Sequence, residues 1–459
     1  MLVYNLKLNE IGDGMKKIIA SYFLTCSLIL SSLSFQSYCI TKQFNVSKVK
    51  NNIEYLSSDT FKGRLTGTIE NHEVAAYLKD EFTRNGLEPF EGSYFHPFKV
   101  KYPKKTTEKP MISIIDSNNR LIKTFEYGVN YKEDLLNFRN TELQFDKNNI
   151  LGNNSENLLY AKTDKGSVIF YTTEENDLTF RSSFSEGSKQ DLYIIVTKET
   201  LKEISAELQK GNSVYTSIPF KVEEANVNNV VGMIKGKDSS KPPIIFSCHF
   251  DHLGTDLNNV VYRGALDNAS GTAFLLELIK YIKATGTPER DIIFAAFNAE
   301  EFGLLGSDAF VTQFESKLKN SRAYNFDMIG SFDGIPLCIM GGKSDTNDTP
   351  LIKELTKLFE KEKIYFNFIF EDASDHASFR NKGIEAVTLC DNDMNRIHTP
   401  KDRIEYISSA AIQRCFSVIR TEVIKNCFDN NILSLYYEEF LLASLLGSIV
   451  LIFIYKKIE

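Results

Sequence analysis

The rhythm of hydrophobic and polar positions changes three times along the 459 residues. Within residues 45–98, "ENHEVAAYLKDEFTRNGLEPF" brings Val74, Tyr77, Leu78 and Phe82 to one face at helical spacing, and Gly86 offers a stop. A helix is predicted there. From 99 to 225 the pattern shortens to strand-like alternation, as in "KGSVIFYTT" and "DLYIIVTKE", broken by turns rich in Asn, Ser and Gly. This predicts an inserted, mostly β module. From "NVNNVVGMIKG" onward, over 226–430, wholly apolar strands alternate with helices. The strands are Pro243 to Cys248, Asp291 to Phe297 and "AYNFDMIG", with a helix from Ser270 to about Lys283 after the first. That alternation predicts an α/β fold, a mostly parallel mixed sheet sandwiched by helices.

Both ends depart from a soluble pattern. Met15-Lys16-Lys17 precede the apolar run Ile18 to Leu33, and Ser32-Leu33-Ser34 offers the small residues a signal peptidase accepts. Met15 is the expected start, because the fourteen residues before it carry acids and no pattern. Residues 15–39 therefore read as a signal peptide or an N-terminal membrane segment. At the other end, Phe440 to Tyr455 is uncharged and apolar and Lys456-Lys457 follow, so 433–455 reads as a C-terminal transmembrane helix. A buried terminal helix is the plainer alternative. The positive-inside rule puts both lysine pairs in the cytoplasm and everything between them outside. The expectation is an exported, membrane-anchored protein of the cell envelope.

Composition narrows the function. Apolar residues make up 42% and charged residues 25%, as in globular chains, while a net charge of −7 and the lack of a basic stripe exclude a nucleic-acid partner. The seven cysteines show no CxxC spacing, so neither a disulfide framework nor a thiolate zinc site is expected.

The chemistry gathers at the ends of the predicted strands. "SCHFDHLGTD" follows an apolar run and sets His249 and Asp251 two apart, on one side of an extended segment. A carboxylate there can hold one ring nitrogen while the other binds a metal. Asp267 lies in "GALDNASG", a tight loop entering a helix, and Glu300-Glu301 end the strand of "IIFAAFNAEEFGLLGS". Asp327 follows "AYNF", and His398 stands in "RIHTPKD" after the strand-like "IEAVTLC". Five successive strand–loop units each end in an acid or a histidine, which points to metal. Nitrogen and oxygen donors without thiolates suit zinc, with cobalt or manganese as substitutes. Two histidines and three acids suffice for two zincs sharing one carboxylate. Glu300 and Glu301 can supply a base and a ligand side by side; spacing does not say which is which.

"SCHFDHLG", "GALDNASG", "FNAEEFGLLGS", "YNFDMIG", "SDHASF" and "HTPKD", in this order, resemble the di-zinc aminopeptidase family of secreted bacterial leucyl aminopeptidases. Its wider relatives include glutamate carboxypeptidases, glutaminyl cyclases and the transferrin receptor. The resemblance covers residues 226–425, with a weaker echo in "YLSSDTFKGRLTGTIENHEVAAYLKDEF". It implies a zinc-aminopeptidase or phosphorylase/hydrolase-like fold, and places the insertion where some members carry a protease-associated domain. It also implies two zincs per chain, with Asp267 bridging, His249 and Asp327 completing one site, and Glu301 and His398 the other. Glu300 would be the general base acting on a metal-bridging water, and Asp251 the orienter of His249. Asp375 and His376 would lie near the substrate pocket, and His252 is read as structural. Leu266 departs from the family, many members having a second acid there. The implied substrates are peptides with a free N-terminus. A carboxypeptidase, dipeptidase or glutaminyl cyclase on the same scaffold is the alternative within the class, and an inactive receptor-like scaffold the alternative outside it.

Overall fold

The computed structural model of the chain describes residues 12–151, 155–331 and 334–458. The expected start at Met15 is within them; most of the stretch preceding it lies outside the described residues.

A nine-stranded mixed sheet forms the centre. Its middle is parallel: Ile244–His249 lies between Ile292–Phe297 and Arg322–Phe326, and Glu385–Asp391 follows on the far side of the latter. The flanks run antiparallel, Phe220–Ile234 against Ile292–Phe297 and Leu337–Gly341 against Glu385–Asp391. The sheet is thus mixed as expected, with a parallel middle and one more parallel pair at its edge, Leu337–Gly341 with Phe366–Phe370. Ile244–His249 and Ile292–Phe297 are buried at every position, because helices cover both faces. Ile244, Phe246 and Cys248 pack with Phe274, Phe416 and Leu355 on one face. Ile245, Ile293, Ala295 and Phe297 pack with Phe310 and Phe379 on the other.

Chain order explains where a site can form. The helix Gly271–Thr285 leads to the strand on one side of Ile244–His249, and the helix Leu305–Leu318 leads to the strand on its other side. The order of strands reverses at the His249 strand, and a crevice opens beyond its carboxyl end.

Two four-stranded sheets form between residues 106 and 219, one of them made from Tyr131–Phe138, Leu158–Lys162, Ser167–Tyr171 and Leu192–Val196. A two-stranded ribbon joins them to the centre: Phe95–Lys105 pairs with Phe220–Ile234 in unbroken register from Phe220↔Lys105 to Val230↔Phe95. The two parts share one core, since Phe145, Phe170 and Ile194 belong to the same buried cluster as Leu65, Tyr262, Ala299 and Phe302.

The helices Asp13–Thr41 and Tyr437–Lys457 run antiparallel and pack together, and both are long and apolar enough to cross a membrane. Small hydroxyls line the seam. Ser27 Oγ donates to the Ser444 carbonyl at 2.7 Å, Ser31 Oγ to Ser444 Oγ at 2.8 Å, and Ser448 Oγ to Ser27 Oγ at 3.0 Å. Outward faces carry exposed Ile18, Phe23, Ile29, Leu446, Ile449 and Phe453.

Candidate metal centre

His249 is the last residue of its strand, and the chain then turns through buried Asp251. The Asp251 carboxylate stands 3.6 Å from His249 Nδ1, longer than a hydrogen bond, and accepts the N–H groups of Glu300 at 3.1 Å and Glu301 at 3.2 Å. One acid therefore fixes the backbone of the glutamate pair against the His249 loop.

Asp267 is presented by a tight turn, Ala265–Ser270, entered through Gly264 at φ +55°. A Cβ on Gly264 would meet the Asp267 carbonyl at 2.1 Å and the His252 ring at 2.5 Å, so only glycine fits. Asp402, in "HTPKD", accepts the N–H groups of Leu266 at 2.8 Å and Asp267 at 3.0 Å and holds the turn from outside. Arg64, itself buried, donates to the carbonyls of Phe250 at 2.8 Å, Leu56 at 3.0 Å, Arg263 at 2.6 Å and Gly264 at 3.0 Å. It ties the two loops into one frame.

The side chains converge as two clusters that share Asp267. His249 Nε2 faces Asp267 Oδ1 at 3.5 Å and Asp327 Oδ1 at 3.3 Å. The other oxygen, Asp267 Oδ2, faces His398 Nε2 at 3.4 Å and His252 Nδ1 at 3.7 Å. Glu301 completes that second cluster, with Oε1 2.8 Å from His252 Nδ1 and Oε2 3.3 Å from His398 Nε2. Glu300 stands beside them, 3.9 Å from His249 Nε2. In each of the groups His249–Asp267–Asp327 and His252–Asp267–Glu301 the donor atoms lie within 4.8 Å of one another.

These donors fit zinc. Four carboxylates share a crevice, and among the described residues their ion-pair partners are imidazoles only, with no lysine or arginine. Buried negative charge of that density calls for a cation, and oxygen with imidazole nitrogen is the donor mixture zinc takes. Burial raises the Glu300 carboxyl well above the ordinary carboxylate range; His249 opposes this, and Asp327 and Glu301 add to it. Burial acts the same way on Glu301, but His398 and His252 overcome it and hold Glu301 well below that range. Burial disfavours charge on His249, yet Glu300 and Asp327 lift its pKa well above the usual histidine value. Two adjacent carboxyls are thus driven apart by their surroundings.

A cavity of about 610 Å³ opens over the clusters, lined by Asp267, Glu300, Glu301, Asp327 and His398 together with Met328, Met340, Ile369 and Ile397. Glu371 and Asp372 add negative charge to its wall. Ala299, Leu304, Met328 and His398 bend around it with positive φ, the backbone strain that gathers where side chains must be aimed.

Asp375, His376 and His252 take definite places. Asp375 and His376 do not line this cavity: both are fully buried behind it, where His376 Nδ1 meets Thr388 Oγ1 at 2.8 Å and Nε2 the Glu371 carbonyl at 2.9 Å. A short helix starting at His376 turns them inward. His252, read as structural, stands in the second cluster. Further groups escaped the sequence reading. Asp402 had a signal, being the acid of "HTPKD", and so had Arg64 in "KGRLTG"; Ser183, whose Oγ donates to Glu301 Oε2 at 2.5 Å, had none.

The fold and site define a mixed-sheet α/β unit with two carboxylate–imidazole clusters at its switch point. Residues 229–423 match Peptidase family M28. Aminopeptidase YwaD of Bacillus subtilis is 26% identical over 273 residues, 56% of this chain and 56% of that protein. The vacuolar membrane protease of Saccharomyces cerevisiae is 26% identical over 256 residues, 53% of this chain and 25% of that one. The chain thus spans about half the length of one of these relatives and a quarter of the other. In structure it is similar to BSAP, a zinc aminopeptidase from Bacillus subtilis, with a TM-score of 0.59 at 19% identity over 84% of this chain and 96% of that one. That likeness speaks for the fold.

Proposed function

We propose that the chain is a zinc-dependent aminopeptidase that removes N-terminal residues from peptides. The observation that carries this is Asp267, whose two oxygens face two different clusters while Glu300 stands free beside them. Asp267 would bridge two zincs, His249 and Asp327 would complete one position, and Glu301 and His398 the other, with His252 against Glu301. Asp251 orients the His249 and Glu300 loops. Bound zinc supplies Lewis-acid polarisation of the scissile carbonyl and acidifies water at neutral pH. Glu300, facing the cavity beside the first cluster, takes the proton of the attacking water and returns it to the leaving amine.

The cavity favours an amine over a carboxylate terminus. Glu371 and Asp372 stand in its wall and, among the described residues, no lysine or arginine lines it, which suits the α-ammonium of a peptide and repels a C-terminal carboxylate. The membrane reading rests on the paired terminal helices, whose lysines Lys16, Lys17, Lys456 and Lys457 lie at one end of the pair. The catalytic body would then face outward, anchored by residues 13–41 and 437–457.

Zinc content measured beside hydrolysis of aminoacyl chromogenic substrates, their N-acetylated forms and free dipeptides tests the assignment. Two zincs per chain with cleavage of free amines alone is expected. Indifference to acetylation would instead indicate a dipeptidase or carboxypeptidase.

A further inference from the structure

The central sheet does not hold the second cluster unaided. A segment of the β module, residues 179–184, lies against it. Ser183 Oγ donates to Glu301 Oε2 at 2.5 Å, and the Arg181 N–H donates to the His398 carbonyl at 3.0 Å. The Phe180 ring covers the His398 imidazole, 6.2 Å between centroids and 29° from parallel. Phe184 meets Phe302, next to Glu301, edge-on at 5.0 Å. The first cluster is braced from within the central domain instead. Thr272 Oγ1 donates to the His249 carbonyl at 2.9 Å and Ser374 Oγ to Asp327 Oδ2 at 2.8 Å.

The segment is pinned residue by residue to the strand Tyr131–Phe138. Its sequence "YKEDLLNF" is buried although it carries three charges in a row. Lys132 Nζ donates to the Phe180 carbonyl at 2.6 Å, and Arg181 pairs with Glu133 at 3.2 Å with both side chains at 0% exposure. Asp134 accepts Ser182 N–H and Oγ, each at 2.7 Å, and Asn137 Nδ2 donates to the Ser185 carbonyl at 2.8 Å. Buried charges cost stability unless each is answered, and apolar residues would pack the strand at less cost. Here every charge is answered by the segment over the metal ligands. The arrangement gives fixed placement rather than stability.

We propose that the inserted module is a working part of the second metal position, with Ser183 and Arg181 as positioning residues for Glu301 and His398. One metal then depends on the module and the other does not. Ser183 aims the Glu301 carboxylate by occupying the outer face of Oε2, and Arg181 fixes the His398 backbone, itself at φ +58°. The proposal rests on the zinc-peptidase reading.

The test is zinc binding to the full-length chain in detergent, by titration and by competition with a chelator, alongside melting temperature. The unsubstituted chain should bind two zincs. Ser183→Ala should weaken one of them by about 10- to 100-fold, leave the other unchanged and leave the melting temperature in place. Ser183→Thr, which keeps a hydroxyl, should recover most of the loss. Ser374→Ala should weaken the other zinc, and the double variant both. Unchanged zinc binding in Ser183→Ala, or equal weakening of both ions, would overturn the proposal. An unsubstituted chain that takes up no zinc would overturn the peptidase reading, and this proposal with it.

Discussion

Glu300 and Glu301 are neighbours in sequence and opposites in surroundings. Glu301 has both oxygens engaged, by His252 and by His398 and Ser183, whereas Glu300 faces the cavity with His249 as its nearest partner. Spacing alone left the base and the ligand undecided between them; the proposed assignment rests on the direction each side chain takes, and direction is set by contacts from distant chain. The same limit explains His252. A residue just past a strand end is legible as lying near the site, but which way its ring points depends on the Gly264 turn beneath it. Glu300→Gln should keep both zincs and the melting temperature while lowering kcat by about 10²- to 10⁴-fold, the usual worth of a general base. Metal analysis of the purified variant checks it. Loss of zinc instead would make Glu300 a ligand.

Among elements, the buried parallel strands were the most legible, because uninterrupted apolar runs such as Ile292–Phe297 admit few other readings. The helix after Asp267 and the one ending near Gly86 also carry clear signals, at Gly271–Thr285 and Ile69–Arg84. The segment 172–191 was not legible. It has no regular structure and no period, and its course is dictated by charges on another strand. His96 gives a prediction at this scale. It lies on the strand Phe95–Lys105, with its ring centroid 5.9 Å from that of Phe90, 6.4 Å from that of Phe310 and 5.2 Å from that of Phe314. Burial lowers its pKa below the usual histidine value of about 6.5. The unfolded chain therefore binds this proton more readily, so the stability that neutral His96 contributes is present above pH ~6.5 and lost as pH falls through the folded pKa. His96→Phe should show a smaller fall in melting temperature between pH 7.5 and 5.5 than the unsubstituted chain. Equal falls would assign the acid sensitivity elsewhere.

For the whole molecule, the two ends proved informative together. Each apolar run alone fits several roles, but Ser27, Ser31, Ser444 and Ser448 bring them into one antiparallel pair, with Gly447 close enough that a Cβ would stand 3.4 Å from Ser27 Oγ. Small residues that let helices approach are the usual seam between membrane helices. A chain anchored this way should stay with the membrane fraction at alkaline pH and lose its catalytic body to protease added outside intact cells. Deleting 437–457 alone should leave it membrane-bound through 13–41. Release of that variant into solution would show that the N-terminal helix is not retained.

The sharing of Asp267 between clusters has a consequence for the order in which the molecule comes into being. The first cluster needs chain only from His249 to Asp327, whereas the second reaches from Arg181 to His398 and so closes a much longer loop. During synthesis the first set of donors is complete while about half of the segment 229–423 has yet to emerge. The second waits for His398, which emerges long after the module does, so the donors assemble in two stages, Asp267 meeting one cluster before it meets both.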